Sequence, residues 1–340
     1  MNVRKNKPVI GISIGDINGI GAEVTMKALQ DSRLQKMITP VIYGHGKAIT
    51  FYRKILEMND FNFMQVRSIE EIHHKKTNVI NVVQESPDVS PGIETREAGK
   101  MALAALDQAI VDLKADHLDA LVTAPLNKNN INSEETPFIG HTEYLTEAFE
   151  IGKSLMFMVS EDMRIGLVTG HLPLREVVHS ISSETIKEKL KIMLKSLKQD
   201  FGIAKPKIAV LGVNPHAGED GLLGSEEREI IEPVVKEFKD KGNLVFGPYP
   251  ADGFFGMMHQ KKFDGVLAMY HDQGLVPFKT VSFESGVNFT AGLPIIRTSP
   301  DHGTAYNIAG KNCAEAGSMR AAIYLAHDII KRKNDWASEN

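Results

Sequence analysis

The fold class is indicated most clearly by one segment near the start of the chain, Pro8-Val9-Ile10-Gly11-Ile12-Ser13-Ile14. This segment is followed by Gly15-Asp16 and then by a helix-forming stretch from about Ile20. A short run that is almost wholly apolar indicates a strand buried on both faces of a sheet. The glycine that follows permits the tight turn between a strand and a helix. This segment therefore predicts a βα unit, the building block of parallel-sheet proteins.

The same alternation of strand and helix continues along the chain. Two stretches have helical periodicity, at Thr95–Lys114 and Ser183–Gln199. Further apolar runs of strand length occur at residues 41–43, 78–83, 119–123, 207–213, 244–246 and 265–270. Alternating strands and helices predict an α/β fold with a mostly parallel sheet covered on both faces. No repeat, low-complexity tract or obvious linker interrupts the pattern, which is compatible with a discontinuous two-domain layout.

The composition excludes several classes of protein. A chain of 340 residues suits one large or two medium α/β domains. Its hydrophobic fraction of 42% and charged fraction of 24% are ordinary for a globular protein, so we expect a sizeable core rather than disorder. The net charge is 39 − 43 = −4, which argues against a general nucleic-acid binder because such proteins carry a basic excess or a basic face.

The single cysteine and the lack of a long apolar run limit the function further. Cys313 can form neither an intrachain disulfide nor a thiolate zinc cluster, and we predict that it is a small buried residue. The basic segment Met1–Lys7 lacks the apolar core and cleavage site of a signal peptide, and no run could cross a bilayer. We therefore expect a cytoplasmic enzyme with no membrane or nucleic-acid partner.

Three strand-like runs each end in a histidine. They are Ile165–His171, Ile208–His216 and Val266–His271. Ligands of open parallel sheets bind beyond the carboxyl ends of the strands, where these three side chains could converge. Neutral imidazoles bind zinc, cobalt, nickel or iron and would leave coordination positions open for substrate oxygens. One such histidine would more often be a surface or hydrogen-bonding residue, but the threefold repetition favours a metal site.

Several other segments have side chains or backbone groups suited to an anion. The turn Gly15–Gly21 lacks the G-x-G-x-x-G spacing of a dinucleotide fingerprint, so it is either a tight turn or a source of backbone N–H donors. The strand-end segment Thr123–Lys128 carries hydroxyl, amide and ammonium groups. Gly140–Glu143 precedes an amphipathic stretch that His141 or Thr142 could cap. Arg297 ends a short apolar run, where a guanidinium could make paired bonds to a carboxylate or phosphate or simply form a surface ion pair.

The segment Asp301–Lys311 (DHGTAYNIAGK) resembles the cofactor loop of the isocitrate and isopropylmalate dehydrogenase superfamily, which binds NAD(P) without a Rossmann fingerprint. The complete set of motifs resembles one branch, the 4-hydroxythreonine-4-phosphate dehydrogenase family. The matching segments cover nearly the whole chain: Gly15–Gly21, Gly140–Glu143, Thr169–Pro173, Asn214–Glu219, Tyr270–Gly274 and Leu293–Ser299.

The resemblance implies a role for each residue in these motifs. It implies metal ligation by His171, His216 and His271, at a site shared between the subunits of a homodimer in which the third histidine comes from the partner. The implied substrate contacts are His141, Thr142, Lys279, Asn288 and Arg297. The implied cofactor contacts are Asp301, His302, Gly303, Thr304, Ala305 and Asn307. Proton transfer is expected from Asp252, Asp272 or Lys279, and the residues themselves do not decide among them.

The implied fold is isocitrate/isopropylmalate dehydrogenase-like, with two α/β/α domains and a cleft between them. We expect residues 1–135 with 285–340 to form the first domain, which carries the cofactor loop, and residues 136–284 to form the second. The implied reaction is oxidation of 4-phosphohydroxy-L-threonine by NAD, or by NADP, followed by decarboxylation to 3-amino-2-oxopropyl phosphate in pyridoxal phosphate biosynthesis. A divalent zinc, magnesium or cobalt ion would act as the Lewis acid.

The chain departs from the family pattern at a few positions, and other functions stay open. Ile17 and Ala22 replace prolines, Ala124 replaces a glycine, and Gly253 replaces a threonine near the expected pocket. Loss of that hydroxyl leaves D-threonate or D-erythronate 4-phosphate as an alternative substrate. A three-histidine zinc hydrolase is an alternative of another class, because such a site can generate a metal-bound hydroxide. A non-enzymatic metal or phosphate binder would need the histidines but not the cofactor loop.

Overall fold

A computed structural model of the chain describes residues 7–132, 138 and 140–339. The predictions made for the first six residues therefore lie outside the described residues. The described strands are β1 (Val9–Ser13), β2 (Thr39–Gly44), β3 (Phe63–Val66), β4 (Thr77–Asn81), β5 (Ala120–Thr123), β6 (Leu155–Val159), β7 (Arg164–Leu167), β8 (Lys207–Leu211), β9 (Leu244–Tyr249), β10 (Gly265–Ala268), β11 (Val287–Ala291) and β12 (Arg297–Pro300).

Helices follow most of these strands, as the alternating pattern predicted. They are α1 (Gly21–Leu29), α2 (Ser32–Met37), α3 (Gly46–Ile55), α4 (Arg96–Lys114), α5 (Lys128–Ile131), α6 (His141–Ala148), α7 (Leu174–Ser180), α8 (Ser183–Gln199), α9 (Glu232–Asp240), α10 (Ala251–Gly256), α11 (His271–Ser282) and α12 (Gly317–Glu339). No helix in the described ranges is long and apolar enough to span a bilayer.

The chain divides into two compact units. The first comprises Met1–Ile151 and Leu293–Lys331, and the second comprises Gly152–Gly292 and Arg332–Asn340. The sequence predicted boundaries after residues 135 and 284. The first of these lies outside the described residues, and the second lies eight residues before the division at 292/293. The predicted boundaries, as limits of independently folding domains, stay a prediction.

The first unit contains a wholly parallel set of strands in the order β3-β4-β2-β1-β5-β12. Its central strand β1 pairs with β2 on one side and β5 on the other, and all five of its residues are buried. This double pairing explains why the Pro8–Ile14 segment is almost uniformly apolar. Gly15 follows with a φ of +69°, and a Cβ there would lie 2.1 Å from the Pro125 carbonyl oxygen, so the turn requires glycine.

The second unit contains strands in the order β11-β6-β7-β10-β8-β9. The four strands from β7 to β9 are parallel, whereas β6 pairs antiparallel with both β11 and β7. Helix α8 begins at a reciprocal cap between Ser182 and Thr185, and it buries Ile186, Leu190 and Leu197. Its observed bounds are those that the sequence predicted.

Cys313 was predicted to be buried, and this prediction is wrong. The residue is exposed. It lies in the loop before α12, where the next residue, Ala314, occupies the buried position instead and donates its backbone N–H to Glu23 at 3.0 Å. A cysteine packs as a small apolar residue only where the backbone directs it inward, and a single sequence does not reveal that direction.

Candidate active site

The three predicted metal ligands follow three neighbouring parallel strands of the second unit. His171 lies four residues after β7, His271 three residues after β10, and His216 five residues after β8. Strand β10 pairs in parallel with β7 on one side and β8 on the other. Because the carboxyl ends of parallel strands share one edge of a sheet, all three histidines belong to the same edge, where ligands of such sheets bind.

His171 and His271 are brought side by side. Their ring centroids are 5.4 Å apart and their planes are inclined by 43°. Nδ1 of His271 lies 2.7 Å from Oδ1 of Asp272. A carboxylate beside one ring nitrogen favours the tautomer in which Nδ1 carries the proton, and this leaves the Nε2 lone pair for a ligand. The two imidazoles are therefore suited to bind one cation, with Asp272 orienting the second.

His216 lies in a tight left-handed turn. It and the next four residues all have positive φ values, between 42° and 81°. Such conformations are unfavourable for residues other than glycine, so surrounding contacts must hold them. The buried carboxylate of Glu227 accepts hydrogen bonds from the backbone N–H groups of Val213 and Asn214, both at 2.7 Å, and from the Asn214 side chain at 3.0 Å.

Gln273 connects the ends of the strands that precede His216 and His271. Its Oε1 accepts a hydrogen bond from the backbone N–H of Met269 at 2.7 Å, and its Nε2 donates to the carbonyl of Gly212 at 2.6 Å. No role was predicted for Gln273, which lies within the Tyr270–Gly274 motif, or for Glu227, which lies eight residues after the Asn214–Glu219 motif. Within one chain, the residues that the structure describes include no group of three or more His, Cys, Asp or Glu side chains that could hold a metal ion.

The first unit contains a buried cationic group at the start of β12. The Arg297 side chain is only 2% exposed, and its Nε and Nη2 atoms donate to Oγ1 of Thr123 at 3.1 and 2.7 Å. Thr123 is placed there because β5 and β12 are neighbouring parallel strands. Burial lowers the pKa of Arg297 to about 10, and Glu143 opposes this shift. The guanidinium is therefore positively charged at neutral pH and suited to an anionic ligand.

His141 faces the same cationic group. It begins α6, and its Nε2 is buried without a hydrogen-bond partner among the described residues. Burial lowers the pKa of His141 well below its usual 6.5, and the charges of Arg297 and Lys128 lower it further. The ring is therefore neutral at physiological pH. A buried polar atom of this kind usually binds a ligand or a water molecule, which fits a substrate contact.

The other predicted site residues divide between the units. Thr142 follows His141 in α6 of the first unit and is half-buried. Lys279 is half-buried on α11, Asp252 is exposed at the start of α10, and Asn288 lies in β11, all in the second unit. Oδ1 of Asn288 is buried and has no partner in the described part of the chain. Asn288 is therefore a second side chain whose polar atom is available for a ligand.

The predicted cofactor segment forms a loop between β12 and α12 in the first unit. Asp301 donates its backbone N–H to Ser318 at 2.9 Å, and Ala305 has a φ of +44°. The backbone N–H groups of Gly303, Thr304 and Ala305 donate to no backbone carbonyl group of the described residues. A Cβ at Gly303 would meet nothing within 4 Å, so the loop leaves open space beside these donors. This arrangement fits a nucleotide, which offers phosphate and base acceptors.

Comparison with known proteins decides the family. The profile described as "Pyridoxal phosphate biosynthetic protein PdxA" matches residues 36–326 of the chain. The chain belongs to the PdxA family. A relative from Bacteroides thetaiotaomicron named 4-hydroxythreonine-4-phosphate dehydrogenase is 49% identical to this PdxA protein over 97% of the chain and 91% of the relative. A relative from Cutibacterium acnes is 37% identical over 95% of the chain and 94% of its own length, and carries the provisional name D-threonate 4-phosphate dehydrogenase.

Solved structures agree with this assignment. The 4-hydroxythreonine-4-phosphate dehydrogenase from Klebsiella pneumoniae is 34% identical and has a TM-score of 0.80, with 97% of this chain and 99% of that one covered. The isocitrate dehydrogenase from Methylococcus capsulatus is only 12% identical, with a TM-score of 0.50 over 96% of this chain and 87% of its own, and shows the fold alone. The predicted isocitrate dehydrogenase-like α/β fold and the predicted family are therefore confirmed. The roles of individual residues stay predictions.

Proposed function

We propose that this PdxA protein oxidises 4-phosphohydroxy-L-threonine with NAD, or NADP, at a divalent-metal site, and that decarboxylation yields 3-amino-2-oxopropyl phosphate. The observation that carries the proposal is the pair of adjacent imidazoles, His171 and His271, beyond parallel strands in a chain of this family. Its B. thetaiotaomicron relative carries the name of this activity. When bound, the divalent cation would supply Lewis-acid polarisation of the substrate hydroxyl, and the nicotinamide would accept a hydride.

The residues of the second unit would hold the cation. His171, His216 and His271 supply imidazole nitrogens, which suit zinc or cobalt better than magnesium. Asp272 keeps His271 in the ligating tautomer through its 2.7 Å contact with Nδ1. The contacts of Glu227 hold the turn that carries His216. These side chains therefore fit the group that the family implies.

The first unit would bind the anionic end of the substrate. Arg297 supplies a buried guanidinium, and His141 supplies a neutral ring whose buried Nε2 has no hydrogen-bond partner within the described ranges. Both groups can hydrogen-bond to phosphate or carboxylate oxygens, and the N-terminus of α6 favours negative charge nearby. Thr142, Lys279 and Asn288 are the further proposed substrate contacts, and Asn288 has a buried oxygen available for one.

Three side chains are candidates for proton transfer. Asp272 is engaged with His271, so its first role would be to orient that ring. Asp252 at the start of α10 and the half-buried Lys279 on α11 are then the candidates to accept the hydroxyl proton or to return a proton after carbon dioxide leaves. A cation such as Lys279 would also stabilise the negative charge that develops on the substrate oxygen.

We further propose that two copies of the chain share the metal site. No group of three acidic, histidine or cysteine side chains that could hold a metal forms within the described part of one chain. Large apolar side chains are exposed within about a dozen residues in sequence of His171, His216 or His271, and they include Leu172, Leu174, Leu222, Leu223, Val276, Val281 and Phe283. Exposed apolar side chains of this size mark protein interfaces. A homodimer would cover them and supply the missing ligand, and the compartment would be the cytoplasm.

The second candidate substrate is D-threonate or D-erythronate 4-phosphate. Gly253 carries no hydroxyl in α10, and a relative that is 37% identical carries the provisional name D-threonate 4-phosphate dehydrogenase. The two substrates differ in having an amine or a hydroxyl beside the carboxylate.

Steady-state NADH formation on both substrates, with zinc or cobalt added and then removed by a chelator, tests the proposal. We expect the higher kcat/KM on 4-phosphohydroxy-L-threonine and loss of turnover after chelation. A large preference for the sugar acid would replace the first substrate with the second. Ester hydrolysis that needs metal but forms no NADH would replace the dehydrogenase with a hydrolase.

A further inference from the structure

The glycine-rich turn after β1 contacts the predicted cofactor loop, although the two are far apart in sequence. The backbone N–H of Ile20 donates to the carbonyl oxygen of Thr304 at 2.9 Å. A Cβ on Gly19 would lie 2.8 Å from the same oxygen, so a larger residue could not occupy this position without movement. The absence of a side chain at Gly19 therefore allows the loop to approach the turn.

A buried carboxyl group in this turn makes a second contact. The Tyr306 hydroxyl donates to Oδ2 of Asp16 at 2.7 Å, and Asp16 is completely buried. Asp16 also accepts hydrogen bonds from the Asn18 backbone at 2.8 Å and from the Asn130 side chain at 2.7 Å. Nδ2 of Asn127 donates to the Tyr306 oxygen at 3.2 Å. Tyr306 is therefore held from two sides by groups that are themselves fixed.

Tyr306 remains a hydrogen-bond donor over the physiological pH range. Burial raises the pKa of its hydroxyl above the usual value, and the hydrogen bond to Asp16 raises it further. Tyr52 also supports the turn, because its hydroxyl donates to the carbonyl oxygens of Ile17 and Gly19 at 2.7 and 3.0 Å. The partner of Tyr306 is thus a rigid part of the fold rather than a mobile loop.

These two contacts flank a strained residue. Ala305 has a φ of +44°, a left-handed conformation that costs a residue with a Cβ about 1 kcal/mol or more. Its predecessor, Thr304, is held by Ile20, and its successor, Tyr306, is held by Asp16. Loss of the second contact would allow the backbone at Ala305 to relax toward a negative φ, which would redirect the N–H groups of residues 303–305.

The far end of the loop is fixed separately. Glu23 accepts the backbone N–H of Ala314 at 3.0 Å, and Lys27 donates to the carbonyl oxygen of Ala314 at 2.9 Å. The carboxylate of Glu23 and the ammonium of Lys27 are themselves paired at 2.8 Å. Loss of the Tyr306 contact should therefore alter the loop around Ala305 without detaching the whole segment.

We propose that Tyr306 is a positioning residue of the cofactor loop, and that its hydrogen bond to Asp16 holds the backbone N–H donors of residues 303–305 in the geometry that binds a nicotinamide dinucleotide. Tyr306 does not itself contact the nucleotide. This inference rests on the proposed function only in that the loop is the nucleotide-binding segment. The Gly15–Gly21 turn would then support the cofactor loop by hydrogen bonds, and it would not itself bind an anion.

The test is the Tyr306→Phe variant, which keeps the ring and removes only the hydroxyl. Titration of the purified protein with NADH, followed by fluorescence, should give a dissociation constant raised about tenfold, because one buried hydrogen bond is lost and Asp16 loses a donor. The KM for NAD should rise by a similar factor, while the KM for the phosphorylated substrate stays unchanged. Tyr324→Phe is the matched control, since it removes a 3.0 Å tyrosine–aspartate hydrogen bond to Asp31 in the same unit.

A second variant separates positioning from a general loss of stability. Glycine adopts positive φ at little cost, so in an Ala305→Gly background the Tyr306→Phe change should raise the NADH dissociation constant by a smaller factor. If Tyr306→Phe raises the NADH dissociation constant by the same factor in both backgrounds, Tyr306 does not act by positioning the loop. The same conclusion follows if Tyr306→Phe leaves the NADH affinity unchanged, and neither result would contradict the proposed cofactor. A parent protein that binds no NADH or NADPH would overturn the proposed cofactor, and the role of Tyr306 with it.

Discussion

The imidazole of His171 lies against the imidazole of His271, with 5.4 Å between the ring centroids. The two residues are 100 positions apart in sequence, and they meet because β7 and β10 are parallel neighbours. Two imidazoles at the carboxyl edge of a sheet could supply half of the ligands of a tetrahedral metal site. The proposed activity needs this pair of histidines together with His216 and the buried guanidinium of Arg297.

Asp272→Asn should weaken metal binding without removing a metal ligand. The neutral amide accepts the His271 Nδ1 proton less strongly than a carboxylate does, and loss of such a partner typically costs about 10- to 100-fold in metal affinity. Competition between the protein and a chromophoric chelator for cobalt would measure the change. Asp328→Asn is the control, because Asp328 has a similar contact with the adjacent His327, at 3.3 Å, in α12. Equal cobalt affinity in parent and Asp272→Asn would contradict the orienting role.

Arg297→Lys should raise the KM for the phosphorylated substrate about tenfold or more. A lysine keeps the charge but cannot reproduce the forked donation that the guanidinium makes. Arg164→Lys provides a matched control, since Arg164 is a half-buried arginine of the second unit whose guanidinium lies 4.9 Å from the Phe201 ring centroid. Steady-state kinetics with saturating NAD would give both values. If KM is the same for Arg297→Lys and the parent, Arg297 has a structural role only.

Because His141 is neutral in the folded protein, we expect the free energy of unfolding to decrease at acidic pH. Its pKa in the folded protein is well below 6.5, so below that pH the unfolded chain binds a proton that the folded chain does not. The free energy of unfolding therefore decreases as pH falls below about 6.5, by at most about 1.4 kcal/mol per pH unit from this residue. Urea unfolding of the parent and of His141→Asn between about pH 7.5 and pH 5.5, one unit either side of the ordinary histidine pKa, should show a shallower pH dependence in the variant. Parallel curves would mean that folding does not lower the pKa of His141.

Leu222→Glu should weaken the dimer. Leu222 is 77% exposed in one chain and lies six residues after His216, and a buried carboxylate in an apolar interface is costly. Sedimentation velocity should show more monomer than in the parent, together with less bound metal if the site is shared. Val111→Glu is the control, because Val111 is an exposed aliphatic residue on α4 of the first unit. A parent protein that is monomeric at micromolar concentration would contradict the shared site.

Sequence alone predicted those features that depend on local pattern. The apolar run at Pro8–Ile14 predicted β1, and the periodicity of Ser183–Gln199 predicted α8 with its observed bounds. The placement of three histidines after strands also came from local pattern, and β7, β10 and β8 are indeed adjacent and parallel. Each of these predictions needed only the spacing of residues within one segment.

Features that depend on distant partners were not predicted. The contact between Asp16 and Tyr306 joins residues 290 positions apart, and the local sequence around either residue does not predict the other as its partner. Glu227 is buried against a turn in the left-handed conformation, and the residue types of that turn do not predict this conformation. The antiparallel pairing of β6 with β11 was also not anticipated, because the periodicity of a strand does not reveal its direction.

Anomalous diffraction from crystals of the cobalt-loaded protein would locate the metal relative to the three histidines. We expect one strong cobalt peak for each chain, bonded to His171, His216 and His271 contributed by two copies, at about 2.0–2.1 Å from each ligating nitrogen. The His216→Ala protein should lose this peak and retain its fold, whereas His327→Ala should keep both. Cobalt bound elsewhere, or these three imidazoles far apart within a chain and across every contact between copies, would contradict the account.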